Sequence, residues 1–345
     1  MKAYQLVGWQ RPPEVRDVPV PEPGPGEVLL SVDAAGACHS DLHFMEWPEG
    51  LLPWNLPFTL GHETAGRVAA VGAGVTAWKP GDAVAVYGPW GCGFCGPCRE
   101  SAENYCERAA ELGAGGSGLG HHGGMAEFLL VPSARHLVAI GDLDPLQAAP
   151  LTDAALTPYH AVQRSMSKLG PGSTAVVIGV GGLGHMAIQI LRAVTPARIV
   201  AIDVSEEKLA LAREMGADEA LLADDDAVAR IRAMTRDVGA ECILDCVGSD
   251  APIAQAAQMV RVRGDITVIG IALGTYPFSF VTMPYEASLA TCFWGTSREL
   301  VDVIELARAG KLRAKVETFP LSKAGDAFDR LRAGTVDGRA VIVPD

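Results

Sequence analysis

The chain is poor in aromatic residues, at 6% of 345 positions, and poor in positive charge, with 28 Lys and Arg against 41 Asp and Glu. The resulting net charge of −13 is scattered among basic residues and forms no tail, so the surface repels phosphate backbones and nucleic acid is not an expected partner. The N-terminus, MKAYQLVGWQRPPEVRD, lacks the long apolar core of a signal peptide, which makes the cytoplasm the default expectation. No convincing membrane span exists either. The run from Thr174 to Leu191 carries no Asp, Glu, Lys or Arg, but glycines at 179, 181, 182 and 184 break any lipid-facing helix. A buried strand, a tight turn and a helix account for the same run. No solenoid-type repeat and no low-complexity segment is found.

What is present is a hydrophobic content of 49%, enough to bury the cores of two domains. From Val28 to Val138 short β-branched runs alternate with Gly and Pro, as in GEVLLSV, AGRVAAVG and GDAVAVYG, and predict an irregular, mostly β region. After Pro150 strand and helix alternate through TAVVIG, HMAIQILRAV, RIVAID, EEKLALAREMG, CILDCVG and DITVIGI, the pattern of βαβ units in a doubly wound parallel sheet. The expected domains are therefore 1–154 and 155–294, with 295–345 returning to the first.

Eight cysteines would suggest disulfides in an exported chain, but four of them crowd into GCGFCGPCRESAENYC. Cys92, Cys95, Cys98 and Cys106 lie on tight Gly- and Pro-containing turns, in a lobe of about 88–108, where four thiolates can converge at about 2.3 Å from one zinc. Four thiolates close the shell, so this ion is expected to hold a loop in shape and take no part in chemistry. Cys242, Cys246 and Cys292 sit in apolar segments and read as inert core.

Gly179, Gly181 and Gly184 fit G-x-G-x-x-G between a strand and a helix, with Gly182 and Leu183 completing the turn, a place for a diphosphate against the helix N-terminus. Asp203 closes the next strand, where a carboxylate can bond both ribose hydroxyls and repel a 2′-phosphate. NAD is thereby favoured over NADP, although Lys208 lies close enough in sequence to weaken the preference. The competing role for Asp203 is a helix N-cap, with Ser205 its rival.

Cys38 in GACHSD and His62 in GHETAG each follow a probable strand and are flanked by glycine; either alone would more often be a buried cysteine or a hydrogen-bonded histidine. Taken in order, GHE, the four-cysteine lobe, the glycine turn and the terminal GRAVIV resemble the zinc-dependent medium-chain alcohol dehydrogenases over essentially the whole chain. VYGPWGCG, ENYC and APLTDAALTPYHA are most similar to the bacterial secondary-alcohol dehydrogenases of that family. The resemblance implies a GroES-like catalytic domain beside a Rossmann domain, NAD as cofactor and two zinc ions per chain, one catalytic and one structural. It makes Cys38 and His62 ligands of the catalytic zinc and Asp153 the third, in a place where animal members have cysteine; no cysteine occurs here between Cys106 and Cys242. Glu63 is the competing oxygen ligand and resembles the family glutamate that backs the zinc.

The same resemblance assigns a proton relay from Ser40 to His43, places His39 and Arg339 against the cofactor phosphates, and puts Trp54, Leu119 and Trp294 in the substrate pocket. An apolar pocket would favour hydrophobic alcohols and ketones. Without the resemblance, Ser40 and Asp41 are turn residues, Arg339 is a solvated surface arginine, and the large apolar side chains are ordinary core. The expected reaction is reversible oxidation of secondary, hydrophobic alcohols with NAD, in a homo-oligomer, a tetramer before a dimer. A polyol or amino-alcohol dehydrogenase would use the same sites, whereas an inactive NAD(H)-binding sensor or structural protein would be expected to have lost a ligand or relay residue.

Overall fold

In the computed structural model, which describes residues 1–113 and 115–345, the chain divides into two units: Met1–Asp153 with Thr296–Arg308 and Arg313–Asp345, and Ala154–Gly295 with Ala309–Leu312.

The first unit is built around the long strand Val28–Ala37. It pairs antiparallel with Glu63–Val71 on one side and with Arg339–Val343 on the other. In this register Gly36 faces both Glu63 and Val341, so the two neighbours bring Glu63 and Arg339 to the end of the strand where the chain turns into Cys38. The alternation read from the sequence appears here as a core of Val28, Leu30, Val32, Val68, Val84, Val86, Leu129 and Val131. A second core holds Tyr4, Leu6, Phe58 and Leu60 against the helix Ala324–Arg332. That helix buries Ala324, Ala327, Phe328 and Leu331, the i, i+3, i+4, i+7 spacing of a single apolar face.

The second unit carries six parallel strands in the spatial order Glu219–Leu222, Arg198–Asp203, Thr174–Ile178, Ala240–Asp245, Val260–Val268, Ser288–Thr291. Counted along the chain this is 3-2-1-4-5-6, the doubly wound arrangement whose first strand feeds a phosphate-binding turn. The strands read as continuous apolar runs because both faces are covered, and Thr174–Ile178 is buried at every position. No helix among the described residues is long and apolar enough to cross a membrane.

Candidate metal centres and cofactor turn

Cys38 ends the central strand and caps the helix His39–Glu46. Its backbone N–H donates to Asp41 Oδ2 at 2.9 Å, which fixes the turn and aims the other oxygen, Oδ1, to within 3.3 Å of His62 Nδ1. His62 thus has its outer nitrogen beside a buried carboxylate while Nε2 faces inward, 3.6 Å from Asp153 Oδ2. Asp153 sits on the π-turn Leu151–Ala155 that follows the helix Pro145–Pro150, and the same Oδ2 lies 3.9 Å from Cys38 Sγ. A widened turn of this kind re-aims a side chain that a regular helix would carry past the site.

Cys38, His62, Glu63 and Asp153 each offer a ligand atom, all within 4.8 Å of one another. The two carboxylates are not equivalent. Glu63 gives both oxygens to Arg339, with Nε at 3.0 Å from Oε2 and Nη2 on Oε1, whereas Asp153 lies 3.8 Å from the same guanidinium and faces Cys38 and His62. Seating Glu63 requires Gly36, because a Cβ there would stand 1.8 Å from Glu63 Oε2.

The charges agree with a divalent cation. Asp41, Glu63 and Asp153 supply three carboxylates to a site whose neighbouring permanent cation is Arg339, a deficit of two before Cys38 ionises. Burial opposes a charge on His62, yet Asp41 and Asp153 outweigh it and raise its pKa well above the ordinary value. Burial, reinforced by Asp153 and opposed by Arg339, likewise pushes the Glu63 carboxyl up. His62 is thus biased toward holding a proton that a metal would replace, whereas Arg339 works to keep Glu63 ionised.

Cys92, Cys95, Cys98 and Cys106 form the second group. Three of the sulfur separations are 3.3 Å for Cys95–Cys98 and 3.9 Å for Cys92–Cys98 and Cys95–Cys106, close to the roughly 3.8 Å expected between thiolates 2.3 Å from one tetrahedral ion, and all four sulfurs lie within 4.8 Å of one another. Backbone N–H groups of Phe94 and Cys95 pull the Cys92 thiol down to about 6, against a smaller opposing effect of burial, so it is readily a thiolate. The lobe is tied down by Glu103, which accepts from Gly91 N at 2.6 Å and Arg135 Nε at 2.8 Å.

In the second unit Gly179 adopts φ +86° and its N–H donates to Ile202 O, turning the chain out of the first strand. A Cβ on Gly184 would meet Gly179 O at 1.8 Å, whereas one on Gly181 would meet nothing within 4 Å. The third glycine therefore serves close packing, and the second leaves room for a ligand against the backbone. The helix Gly184–Val194 begins after Leu183 without a side-chain cap, so its first N–H groups suit an anion. Asp203 accepts from Val180 N at 2.7 Å and Ser205 N at 3.0 Å, and the cap of Glu206–Glu214 is Ser205, whose hydroxyl accepts from Lys208 N. The carboxylate is held at the turn and does not cap the helix.

Ser40 Oγ lies 3.6 Å from Cys38 Sγ, and His43, one turn further along the same helix, is half-buried and stacked on Trp47. His39 is exposed at the helix start. Arg339, which the resemblance sends to the cofactor phosphates, is buried and engaged with Glu63. Trp54 packs edge-on to Phe44 and Phe58, Leu119 is buried in a turn closed by Gly115 N to Leu119 O, and Trp294 is buried edge-on to Phe293. Sequence reading passed over two residues of the centre: Asp41, taken as a turn residue, and Gly36. Their signal was present, a carboxylate three residues after a candidate ligand and a glycine within the strand that leads to it.

Residues 24–142 match the alcohol dehydrogenase GroES-like domain, and residues 182–309 match the zinc-binding dehydrogenase domain. An NAD-dependent alcohol dehydrogenase of Sulfurisphaera tokodaii is 36% identical over 356 residues, covering 100% of both chains. A D-arabinose 1-dehydrogenase (NADP(+)) of Saccharolobus solfataricus is 34% identical, covering 99% of this chain and 97% of its own. Among solved structures, the alcohol dehydrogenase of the hyperthermophilic archaeon Aeropyrum pernix superposes with a TM-score of 0.92 at 34% identity, over 100% of each chain.

Proposed function

The chain belongs to the zinc-dependent medium-chain alcohol dehydrogenase family, and from that premise we propose that it oxidises hydrophobic secondary alcohols to ketones, reversibly, with hydride transfer to NAD. The observation that carries this reading is the convergence of Cys38, His62 and Asp153, from three separate segments, on one point. A thiolate and a carboxylate formally neutralise Zn²⁺, and a carboxylate gives up less electron density than a second thiolate, so the ion stays a strong Lewis acid. Bound zinc supplies a hydroxyl pKa lowered from ~16 toward neutrality, and bound NAD supplies the hydride acceptor.

The chain's own residues handle the proton and the fit. Ser40, beside Cys38, accepts the hydrogen bond of the substrate hydroxyl. His43 receives the proton: burial lowers its pKa, partly offset by Glu46, so it is neutral near pH 7 and able to accept. Asp41 orients His62, and Arg339 keeps Glu63 off the ligand position that Asp153 takes. Gly179, Gly181, Gly182, Leu183 and Gly184 take the diphosphate and Asp203 the adenosine ribose, with Lys208 and His39 as further cofactor contacts; Trp54 and Leu119 in the first unit and Trp294 in the second are the candidate apolar contacts of the substrate. On this reading residues 1–154 with 295–345 are catalytic and 155–294 bind the cofactor.

A homotetramer in the cytoplasm completes the proposal. Four of the eight cysteines gather into one metal-ligating group, a use of cysteine that suits a reducing compartment. Phe278, Phe280, Val281 and Tyr285 are more than 60% exposed and precede the edge strand Ser288–Thr291, a surface suited to a second copy.

Dialysis against a chelator followed by zinc readdition tests the reaction. Activity should vanish and return with metal; full turnover with no metal at Cys38 and His62 ends the proposal. The D-arabinose-oxidising relative supports a polyol or sugar as the second reading, and a panel of 2-alkanols, D-arabinose and threonine separates them by kcat/KM.

A further inference from the structure

In the first unit the strand Lys2–Leu6 pairs with Glu14–Asp17 on one side and Phe58–Thr59 on the other, and this small sheet adjoins a cavity of about 880 Å³, within the range of small-molecule sites. The register sets Arg16 opposite Ala3 and Thr59 opposite Gln5, and paired side chains, like those two apart on one strand, share a face. Arg16, Gln5 and Thr59 therefore project from the same face, and all three line the cavity. The lining is mixed. Val18, Trp90, Phe128, Leu130 and Pro132 supply apolar wall, and Trp90 is fixed by its indole N–H, which donates to Tyr87 O at 3.1 Å, and by the His121 ring with its centroid 5.4 Å away.

The polar groups differ in what they still have to offer. Arg135 is committed to Glu103 and Gly91 O, Glu27 Oε2 accepts from Gly24 N at 2.8 Å, and Gln5 gives Nε2 to Thr59 Oγ1 at 3.2 Å. Arg16 makes no ion pair and no side-chain hydrogen bond among the described residues, so its guanidinium stands at the cavity with all its donors unused. His122 adds a neutral donor. Its Nδ1 accepts the backbone N–H of Thr59 at 3.1 Å, which leaves the ring proton on Nε2, and burial lowers its pKa so that the ring stays uncharged. One free guanidinium beside a broad apolar wall fits a monoanion with an apolar body better than it fits inorganic phosphate.

We propose that this cavity is a second ligand site, for an elongated aromatic carboxylate: Arg16 takes the carboxylate, the rings lie against the apolar wall, and His122 Nε2–H donates to an acceptor elsewhere on the ligand. The lining shares no residue with the Cys38 group, and the site does not depend on the reaction proposed above.

The test uses the zinc- and NAD-loaded enzyme with 6-methoxy-2-naphthoate as probe and the corresponding neutral carboxamide as its match. Calorimetry and a soaked crystal should place one probe molecule in the cavity with its carboxylate on Arg16, and the carboxamide should bind about tenfold more weakly. Arg16 is exposed, so Arg16→Gln should fold as wild type does; it should lose the same factor for the carboxylate and leave the carboxamide unchanged. His122→Phe should weaken 6-methoxy-2-naphthoate several-fold and spare 2-naphthoate, which lacks the second acceptor. Leu130→Trp narrows the cavity and should abolish binding of every compound. Zinc content and kcat/KM for a secondary alcohol should stay at wild type in Arg16→Gln. Probe found only at the Cys38 centre, a cavity occupied by a segment of a second copy, or a carboxylate bound as tightly by Arg16→Gln as by wild type overturns the proposal.

Discussion

Arg339 holds both carboxylate oxygens of Glu63, and the two side chains are 4% and 0% exposed. A buried pair is costly to break from one side because the remaining charge keeps its desolvation penalty without its partner. Arg339→Met should therefore lower the stability of the zinc-loaded enzyme by about 3–5 kcal/mol, and adding Glu63→Gln should recover part of that loss. Urea unfolding of both single variants and the double variant measures the coupling. Strictly additive effects would show that the pair is not acting as a unit.

The inequality of the two carboxylates makes a prediction about metal content. Asp153 faces Cys38 and His62 while Glu63 faces Arg339, so Asp153→Ala should empty one of the two metal groups and Glu63→Gln should leave both filled. Zinc per chain, measured after gel filtration, should fall by one only in the first case. The reverse pattern would make Glu63 the ligand and Asp153 its support.

At the four-cysteine lobe the same assay should separate structure from chemistry. Cys98→Ser removes one sulfur of a closed set, so one zinc should be lost while the Cys38 group keeps its own. Resistance to thermal inactivation should drop well before kcat/KM of freshly prepared enzyme does. A variant that loses turnover at once, with its Cys38-site zinc intact, would argue for a catalytic part in the lobe.

These two centres differ in how far the sequence reveals them. The four sulfurs come from one short stretch, where spacing and turn residues nearly dictate the geometry. Cys38, His62 and Asp153 are brought together by the pairing of Val28–Ala37 with Glu63–Val71 and by a π-turn, neither of which leaves a local mark, so that centre became legible only through resemblance to a family. The Arg339–Glu63 contact, spanning 276 positions, was not legible: a lone arginine before a closing strand reads as a surface residue. The six-stranded sheet was legible because each βαβ unit announces itself by period and by glycine.

Stability should also carry an acid limb that originates in the second unit, at a residue of neither metal group. Burial would raise the Asp265 carboxyl, but hydrogen bonds from Lys168 Nζ at 2.6 Å, Ser288 Oγ at 2.6 Å and Ser165 Oγ at 3.0 Å hold it below its ordinary value of 3.8. A depressed folded-state pKa stabilises above the unfolded value, and that contribution is lost as pH falls through the folded one. Asp265→Asn should be less stable than wild type at pH 7, with the gap narrowing as pH drops below about 4. Urea midpoints at stepped pH give the comparison; a gap that widens on acidification contradicts the assignment.

In the proposed reading cofactor choice rests on Asp203, whose two oxygens already accept from Val180 and Ser205 N–H. Each carboxylate oxygen has a second lone pair, so the side chain is held in place by the turn and still able to receive ribose hydroxyls. Replacing it with Ala removes charge-assisted bonds worth about 1.5–3 kcal/mol together, roughly a ten- to hundredfold loss of kcat/KM with NAD. The same change removes the repulsion of a 2′-phosphate and leaves Lys208 nearby in sequence, so kcat/KM with NADP should hold or rise. Asp203→Ala with Lys208→Ala should then lose the NADP gain while the NAD loss stays. Equal losses for both cofactors would mean that Asp203 supports the turn and does not read the ribose.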